Sequence, residues 1–205
     1  MDAEPFVIKM PGKQLATLLS AMLLSASNDR NRPHLHAVYF EADAKGIRVV
    51  ATDGHQIAIY RLNEATGLGK SLVSRDDVEG IVAECRRAGK RPVTLNLTES
   101  RLETSRKLSF TPVEATFPDY RTVLPEKAEK PFVGHVDTAK LINVARAFTM
   151  MSTSKRSHTM RARQPSLGLL DPIVFTSMYC ADMMIILMPV RADDSEVSLD
   201  QWRPE

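Results

Sequence analysis

The sequence predicts an α+β fold in which β-α-β-β-β units repeat and their helices cover one face of antiparallel sheets. Three segments have the apolar spacing of amphipathic helices, and each follows a short apolar stretch. Between them apolar and polar residues alternate, as in half-buried strands. The same order of elements occurs three times without letter-by-letter repetition. Because one such unit cannot cover its own helix, we expect the units to stack on one another.

Each predicted helix has a start signal. Pro11 precedes the first helix, where its missing N–H costs nothing. Ser74 is the expected N-cap of the second helix, which stops at Gly89, and Asp137 is the expected N-cap of the third. The predicted helices span residues 12–27, 74–88 and 138–151.

The predicted strands follow the helices in groups. They span residues 36–42, 46–51, 55–62, 93–97, 101–104, 107–113, 173–177 and 183–190. Two of the three units then form one complete domain, residues 1–125. A polar linker follows at 126–131, a shorter domain at 132–191 and an acidic tail at 192–205. The third unit therefore stands alone in this prediction.

The composition is that of a globular protein in a reducing compartment. The chain has 205 residues, of which 43% are hydrophobic and 25% charged, and this argues against disorder, collagen and coiled coil. The longest apolar run, residues 183–190, is shorter than the roughly 20 residues that a membrane helix needs. The acidic N-terminal segment has no signal-peptide pattern, and Cys85 and Cys180 cannot form a disulfide framework. We therefore expect a cytoplasmic protein.

Charge is distributed unevenly along the chain. The formal net charge is +2, but residues 192–205 carry five acids and one base, which leaves +6 on the rest. A basic body with an acidic tail suits a polyanion such as nucleic acid, because Lys and Arg release counterions from phosphates. An ordinary solvated surface gives the same count, so charge alone does not decide between the two.

The segment ATDGHQIAIY, residues 51–60, predicts a tight turn between two strands. Asp53 is expected to bond its own backbone there, and Gly54 accepts a positive φ. Asp53 and His55 also resemble two members of a hydrolytic triad, but no Ser or Cys nucleophile elbow accompanies them. Alternating histidines more often pack or face solvent than bind a metal. We therefore expect no catalytic site, metal or cofactor.

Two further segments have informative proline positions. ATFPDYRTVLPEK, residues 115–127, brackets PDYR with two prolines, which suits an extended connector anchored by a tyrosine. IILMPVR, residues 185–191, places Pro189 at the end of a strand beside the flexible Met188. Taken singly, the two segments are also explained as an interdomain connector and a core strand.

Together the three segments resemble the sliding-clamp family, the β subunit of bacterial DNA polymerase III. In that family an ATDGH-type turn, an FPDYR connector and a C-terminal MP-x-R strand end build one pocket, in this order along the chain. The resemblance is strong over residues 6–127, which look like the middle domain of the clamp. It is weaker over 132–191, which look like a shortened last domain. It implies the DNA clamp fold without the family's first domain.

The resemblance implies a non-enzymatic processivity factor of DNA replication. Such a clamp encircles double-stranded DNA, is opened by a clamp loader, and tethers DNA polymerase and other replication or repair proteins through their clamp-binding motifs. A shallow apolar pocket with a few polar edges suits many related peptides. It is expected here at Thr52, Gly54, His55, Ile57, Pro125, Met188, Pro189 and Val190. Gln56 departs from the family, which often has arginine there, and the missing cation is expected to weaken peptide contacts.

The resemblance also implies that the helices line the hole and face phosphate without reading bases. The basic residues expected to do so are Lys13, Arg86, Arg87, Lys90, Arg91, Lys140, Arg146, Lys155 and Arg156. Those at the end of the second helix also compensate its dipole. The first helix carries only Lys13, which weakens the DNA interpretation.

The resemblance also implies a homo-oligomer. A clamp protomer of the family has three domains, or six β-α-β-β-β units, whereas this chain has three units. A ring of twelve units, as in the family, needs four such chains. We also expect the third unit to bury its open sheet edge and its helix against a copy of itself, which requires at least a dimer. An alternative is a decoy or adaptor that forms no ring, binds clamp-binding peptides and modulates host replication. A hydrolase or metal enzyme is a third class. The tail residues Val197, Leu199 and Trp202 are spaced loosely like a clamp-binding peptide, although a solvated tail explains them too.

Overall fold

The computed structural model describes residues 5–62, 67–132, 135–154 and 158–191. Within them the order β-α-β-β-β occurs three times, which confirms the predicted units. Unit 1 contains β1 (Phe6–Pro11), α1 (Gly12–Leu23), β2 (Ala37–Asp43), β3 (Gly46–Thr52) and β4 (Gln56–Leu62). Unit 2 contains β5 (Gly69–Ser74), α2 (Arg75–Ala88), β6 (Pro92–Leu97), β7 (Leu102–Thr104) and β8 (Ser109–Phe110). Unit 3 contains β9 (Lys130–Pro131), α3 (Thr138–Met151), β10 (Arg161–Gln164), β11 (Ile173–Ser177) and β12 (Cys180–Leu187).

The strands form two antiparallel sheets, and the fold is α+β as predicted. The larger sheet has the order β5-β2-β3-β4-β12-β11-β10-β9, and the smaller has the order β1-β6-β7-β8. The helices pack on one face of the sheets and form the main apolar core with them. Alternation along β3 points Val49 and Ala51 into that core, whereas Val50 joins a smaller apolar cluster on the opposite, outer face. The larger sheet therefore has a helix-covered face and an outer face.

Units 1 and 2 pair reciprocally. The first strand of each unit pairs with the second strand of the other, β1 with β6 and β5 with β2. Their helices run antiparallel, so that Arg75 at the start of α2 donates to the carbonyl of Leu23 at the end of α1 (2.8 Å). At the other end of α1, a Cβ on Gly12 would lie 2.5 Å from the carbonyl oxygen of Cys85. Glycine at this position lets the two helices approach closely.

Unit 3 joins unit 1 by a different contact. Their last strands pair from Met183 opposite Tyr60 to Leu187 opposite Gln56, and we call this β4–β12 pairing the seam. Helix α3 packs beside α1. The expectation that unit 3 stands alone is therefore wrong for this edge of its sheet. At its other edge the two-residue β9 folds back on β10.

Helix α1 ends four residues earlier than predicted. The helix was predicted to reach residue 27, but it stops at Leu23, the last residue of its apolar face. Side chains of other elements donate hydrogen bonds to the last carbonyl groups of α1. Arg75 donates to the carbonyl of Leu23, and the side-chain amide of Gln56 donates to the carbonyl of Leu24 (2.7 Å). These tertiary bonds satisfy groups that a further turn would have satisfied.

The other two helices begin where they were predicted, within one residue. The Ser74 hydroxyl accepts the N–H of Asp77 (3.1 Å), and the Asp137 carboxylate accepts the N–H of Lys140 (3.0 Å). Helix α2 ends before Gly89, whose φ is +62°. Among the residues described, no helix is long and apolar enough to cross a membrane.

Candidate functional site

The turn between β3 and β4 is closed by its own side chains. The Asp53 carboxylate accepts the N–H groups of His55 (2.8 Å) and Gln56 (3.0 Å). The Thr52 hydroxyl donates to the Gln56 carbonyl (2.8 Å) and accepts the N–H of Gly54, whose φ is +95°. This is the self-bonded turn that the sequence predicted. It holds His55 at the surface in a fixed backbone position.

Arg32 and Leu35 support this turn, and the sequence analysis missed both. The Arg32 guanidinium donates to the Asp53 carbonyl (2.9 Å). A Cβ on Gly54 would lie 2.9 Å from the same guanidinium and 3.9 Å from a methyl carbon of Leu35. The two residues lie in the irregular segment before β2, where no periodic pattern singles them out. Only the tertiary structure brings them to Gly54.

The seam brings the predicted strand end to the predicted turn. The N–H of Met188 donates to the carbonyl of His55 (2.9 Å), immediately beyond the last pair of the seam. The N–H of Val190 donates to the carbonyl of His135 (3.0 Å). The side chains of Met188 and Val190 are 39% and 41% exposed. Segments more than 130 residues apart in the sequence thus share one edge of the structure.

The connector between units 2 and 3 lies on the outer face of the sheet. Tyr120 is buried in the outer cluster, and its hydroxyl donates to the Glu41 carboxylate (2.8 Å). Burial, together with this carboxylate, raises the pKa of Tyr120 well above its ordinary value. Ile57 and Leu124 pack against the same cluster. Pro125 follows Leu124 directly and is half-buried.

The structure brings the predicted turn and the predicted strand end together, but two of the predicted pocket residues, His55 and Val190, line different cavities. His55 lines a polar cavity of about 430 Å³ with Asp53 and Lys140. Val190 lines a different cavity of about 540 Å³ with exposed leucines of the β10–β11 loop. Thr52 is buried and acts in the turn. Pro189 is half-buried.

Gln56 points away from the outer face. Its side chain is 1% exposed and bonds the end of α1, through the carbonyl of Leu24 (2.7 Å) and the hydroxyl of Ser25 (3.2 Å). Along β4, Ile57 and Ile59 point to the opposite face of the sheet from Gln56 and pack in the outer cluster. The Gln56 side chain therefore has a structural role on the other face, and the expected effect of the missing cation on peptide contacts stays a prediction.

Most of the predicted basic residues lie on the surface of the helix layer. Arg86 donates to the hydroxyl of Ser20 (3.2 Å) and lines a cavity of about 330 Å³ with Lys13. The exposed members are Lys13, Arg86, Arg87, Lys90, Arg91 and Arg146. Lys140 instead pairs with the Asp53 carboxylate, so part of its charge is already neutralised. Lys155 and Arg156 lie outside the described residues.

Chemistry other than binding has little support in the described part of the chain. No group of three or more His, Cys, Asp or Glu side chains is placed to hold a metal there. Cys85 and Cys180 are buried free thiols, and burial raises the pKa of each to about 11. The Glu84 carboxylate is buried but pairs with Arg106 (3.2 Å) and accepts from the Thr104 hydroxyl, which makes it a structural group.

Comparison with known proteins points to one family, although no family model matches the chain. It is 28% identical over 166 residues to the beta sliding clamp of Haemophilus influenzae, covering 78% of this chain and 45% of that protein. It is 30% identical over 128 residues to the beta sliding clamp of Vibrio cholerae, covering 60% of this chain and 35% of that protein. The chain thus spans less than half the length of these relatives.

Solved structures agree on the fold. The DnaN sliding clamp of Bartonella birtlesii bound to griselimycin superposes with a TM-score of 0.74 at 17% identity, covering 94% of this chain and 67% of that one. The DNA polymerase III beta subunit of Thermotoga maritima gives 0.73 at 15% identity, with the same coverage of 94% and 67%. These likenesses confirm the predicted clamp fold. The chain is therefore similar in sequence to bacterial β sliding clamps and has the fold of the β subunit of DNA polymerase III.

Proposed function

We propose that this protein is a non-catalytic, clamp-like processivity factor, which holds duplex DNA topologically and tethers DNA polymerase and other proteins through a peptide pocket. The observation that carries the proposal is the hydrogen bond from Met188 to His55. It joins the turn to the strand end beside an apolar outer face, and the helices occupy the opposite face. One face thus suits peptides and the other suits DNA.

The peptide pocket extends from the exposed Met188 to Ile57 and the end of the connector. Methionine adapts its shape to different apolar partners, and the backbone of the turn fixes His55 as a polar edge. A short apolar segment of a polymerase or repair protein fits such a surface. Griselimycin, which binds the Bartonella birtlesii clamp, is a defined small probe for it.

Binding of griselimycin by isothermal calorimetry tests the pocket. Met188→Ala is expected to weaken binding at least tenfold, because it removes an apolar contact surface worth about 1.5–3 kcal/mol. Met178→Ala is the matched control, since Met178 is 81% exposed at the far end of β12. Equal loss in both variants, or no binding by the unchanged chain, contradicts the pocket.

The DNA face is the layer of three helices with its exposed arginines and lysines. Contacts to phosphate alone allow sliding, because they carry no sequence information. Retention on a nicked circle, with loss after linearisation, is the expected behaviour of a topological clamp. A clamp loader is the partner expected to open a closed ring, and adding one is expected to increase retention. Equal retention on circular and linear DNA contradicts topological binding.

A decoy or adaptor that binds clamp-binding peptides without encircling DNA is the second candidate. The ion pair between Lys140 and Asp53 favours it, because it uses a base that a DNA face would need. Helix α1 also exposes a single base, Lys13. Griselimycin binding without any retention on circles supports this candidate, and retention on circles contradicts it.

A further inference from the structure

A separate cavity of the outer face lies at the opposite end of the seam from Met188, and we call it the outer-face cavity. It has a volume of about 500 Å³ and lies where β12 begins and β4 ends. Its apolar lining includes Ile59 of β4, Met184 of β12 and Leu124 of the connector. None of the residues predicted for the peptide pocket lines it. It is therefore a site of its own, within the size range of ligand pockets.

The strand register extends this cavity into a row of side chains across the outer face. Met184 pairs with Ile59 on one side and with Thr176 on the other, and Thr176 pairs with Arg161 of β10. Residues that lie directly opposite each other on neighbouring strands point to the same face of a sheet. Arg161 therefore continues the row on the side of unit 3.

Arginines surround the apolar part of this row. Two that line the cavity, Arg48 and Arg121, pair with carboxylates at 2.6 Å. The third, Arg61, has a side chain that is 58% exposed, and its ion-pair partner Asp182 is 3.7 Å away. Arg161 is exposed and forms no ion pair with any residue that the structure describes. Two guanidinium groups, one on each side of the apolar strip, are thus placed to bind carboxylates of a ligand.

The acidic tail, residues 192–205, has the composition that this surface suits. It carries five acids and one base, and its apolar residues include Trp202. The tail follows Arg191, which is seven residues beyond Met184 and so at most about 23 Å from it at 3.3 Å per residue. Residues 192–202 span up to about 36 Å when extended. Trp202 is therefore within reach of the outer-face cavity.

We propose that the acidic tail binds in the outer-face cavity, with Trp202 on the apolar strip between Ile59 and Met184 and with tail carboxylates on Arg61 and Arg161. An indole ring buries a large area against such side chains, and methionine adapts its shape to the ring. Ile59 and Arg61 belong to unit 1, whereas Met184 and Arg161 belong to unit 3. The bound tail therefore bridges both sides of the seam. This contact depends on neither DNA nor peptide binding.

The loop between β10 and β11 offers the tail a nearer apolar surface. Its Leu169 and Leu170 are 56% and 46% exposed and line a cavity with Arg191. Asp171 lines the same cavity, so one arginine is opposed there by one acid. The outer-face cavity has three arginines and one acid in its lining, and this difference favours it for an acidic segment.

The fluorescence of Trp202 tests the proposal, because it is the only tryptophan of the chain. In the full chain without DNA, we expect emission at shorter wavelength than in the urea-unfolded chain and protection from acrylamide, a neutral quencher. Raising the salt from about 0.1 to about 1 M is expected to reduce this protection, because the Debye length falls from about 10 to about 3 Å. Quenching equal to that of the unfolded chain, or protection that salt does not change, overturns the proposal.

Charge reversal then locates the contact. Arg61→Glu and Arg161→Glu are each expected to lower the ratio of bound to free tail about fivefold, because an attraction becomes a repulsion. Arg87→Glu is the matched control, since Arg87 is exposed on helix α2, and its protection is expected to be unchanged. Unchanged protection in both cavity variants overturns the proposal. Loss of protection in Leu169→Ser, but not in the cavity variants, also overturns it, because the tail then lies on the leucine loop. Far-UV circular dichroism verifies that each variant is folded, and the salt titration of the unmodified chain needs no variant.

Discussion

Replacing Gly54 with alanine tests whether the turn is built as described. At φ +95° an L-residue is strained by about 1 kcal/mol. The new Cβ would also lie 2.9 Å from the Arg32 guanidinium, which must move and weaken its bond to the Asp53 carbonyl. That bond contributes about 1 kcal/mol. The expected loss in the free energy of unfolding is therefore about 2 kcal/mol.

Urea denaturation followed by far-UV circular dichroism measures this loss. With a denaturant slope of about 2 kcal/mol per molar, the midpoint is expected to fall by about 1 M. Gly80→Ala is the matched control in helix α2, where a Cβ meets only Phe110 at 3.8 Å. Its midpoint is expected to rise, because alanine is better than glycine in a helix by about 0.5–1 kcal/mol. Equal midpoints for Gly54→Ala and the unmodified chain would refute the strained turn and the role of Arg32.

Three further predictions concern the core. Gly12→Ala is expected to destabilise the chain by about 1–3 kcal/mol in the same assay, because its Cβ meets backbone 2.5 Å away; an unchanged midpoint contradicts the close helix contact. Tyr120→Phe removes the hydroxyl bond to Glu41 and is expected to cost about 1.5 kcal/mol; no loss contradicts a stabilising role of this bond and leaves the ion pair between Arg121 and Glu41 to hold the connector. Cys85 and Cys180 are expected to resist alkylation at pH 8 until the chain unfolds. Burial raises the pKa of both thiols to about 11, so the thiols of the unfolded chain lose their protons at lower pH than those of the folded chain. The free energy of unfolding is therefore expected to fall as pH rises from about 9 to 11. Fast native alkylation contradicts their burial.

The repeated units were predictable because local signals agree with the final structure. Ser74 and Asp137 cap helices that begin within one residue of the prediction. The alternation along β3 and β4 survives because one face meets helices and the other meets the outer cluster. Strand β10, sequence RARQ, was not predicted, since its pairing with β11 depends on backbone bonds rather than on an apolar pattern. The predicted strand 107–113 shortens to Ser109–Phe110 for a related reason: the N–H of Val113 bonds the carbonyl of Leu72 outside the smaller sheet.

The site was predictable in its segments but not in the direction of its side chains. A motif identifies a turn and a strand end, and the seam brings those two together. It does not say that Gln56 turns inward to the end of α1, or that Lys140 reaches Asp53 from another unit. Both contacts join residues more than 30 positions apart, and only packing decides them. Arg32 was not predicted either, because its contact with Asp53 also depends on packing.

If peptides bind in the proposed pocket, the seam couples that binding to the pairing of units 1 and 3. His55 and Ile57 belong to unit 1, whereas Met188 follows unit 3, so a peptide that touches both sides binds only while β4 and β12 remain paired. By thermodynamic linkage, peptide binding then stabilises the pairing of β4 with β12 by the same free energy by which this pairing strengthens peptide binding. At 100 times its dissociation constant, such a ligand stabilises the paired state by about 2.7 kcal/mol. Occupancy of the pocket would then slow hydrogen exchange at the backbone amides of β12, and this effect can be measured without DNA.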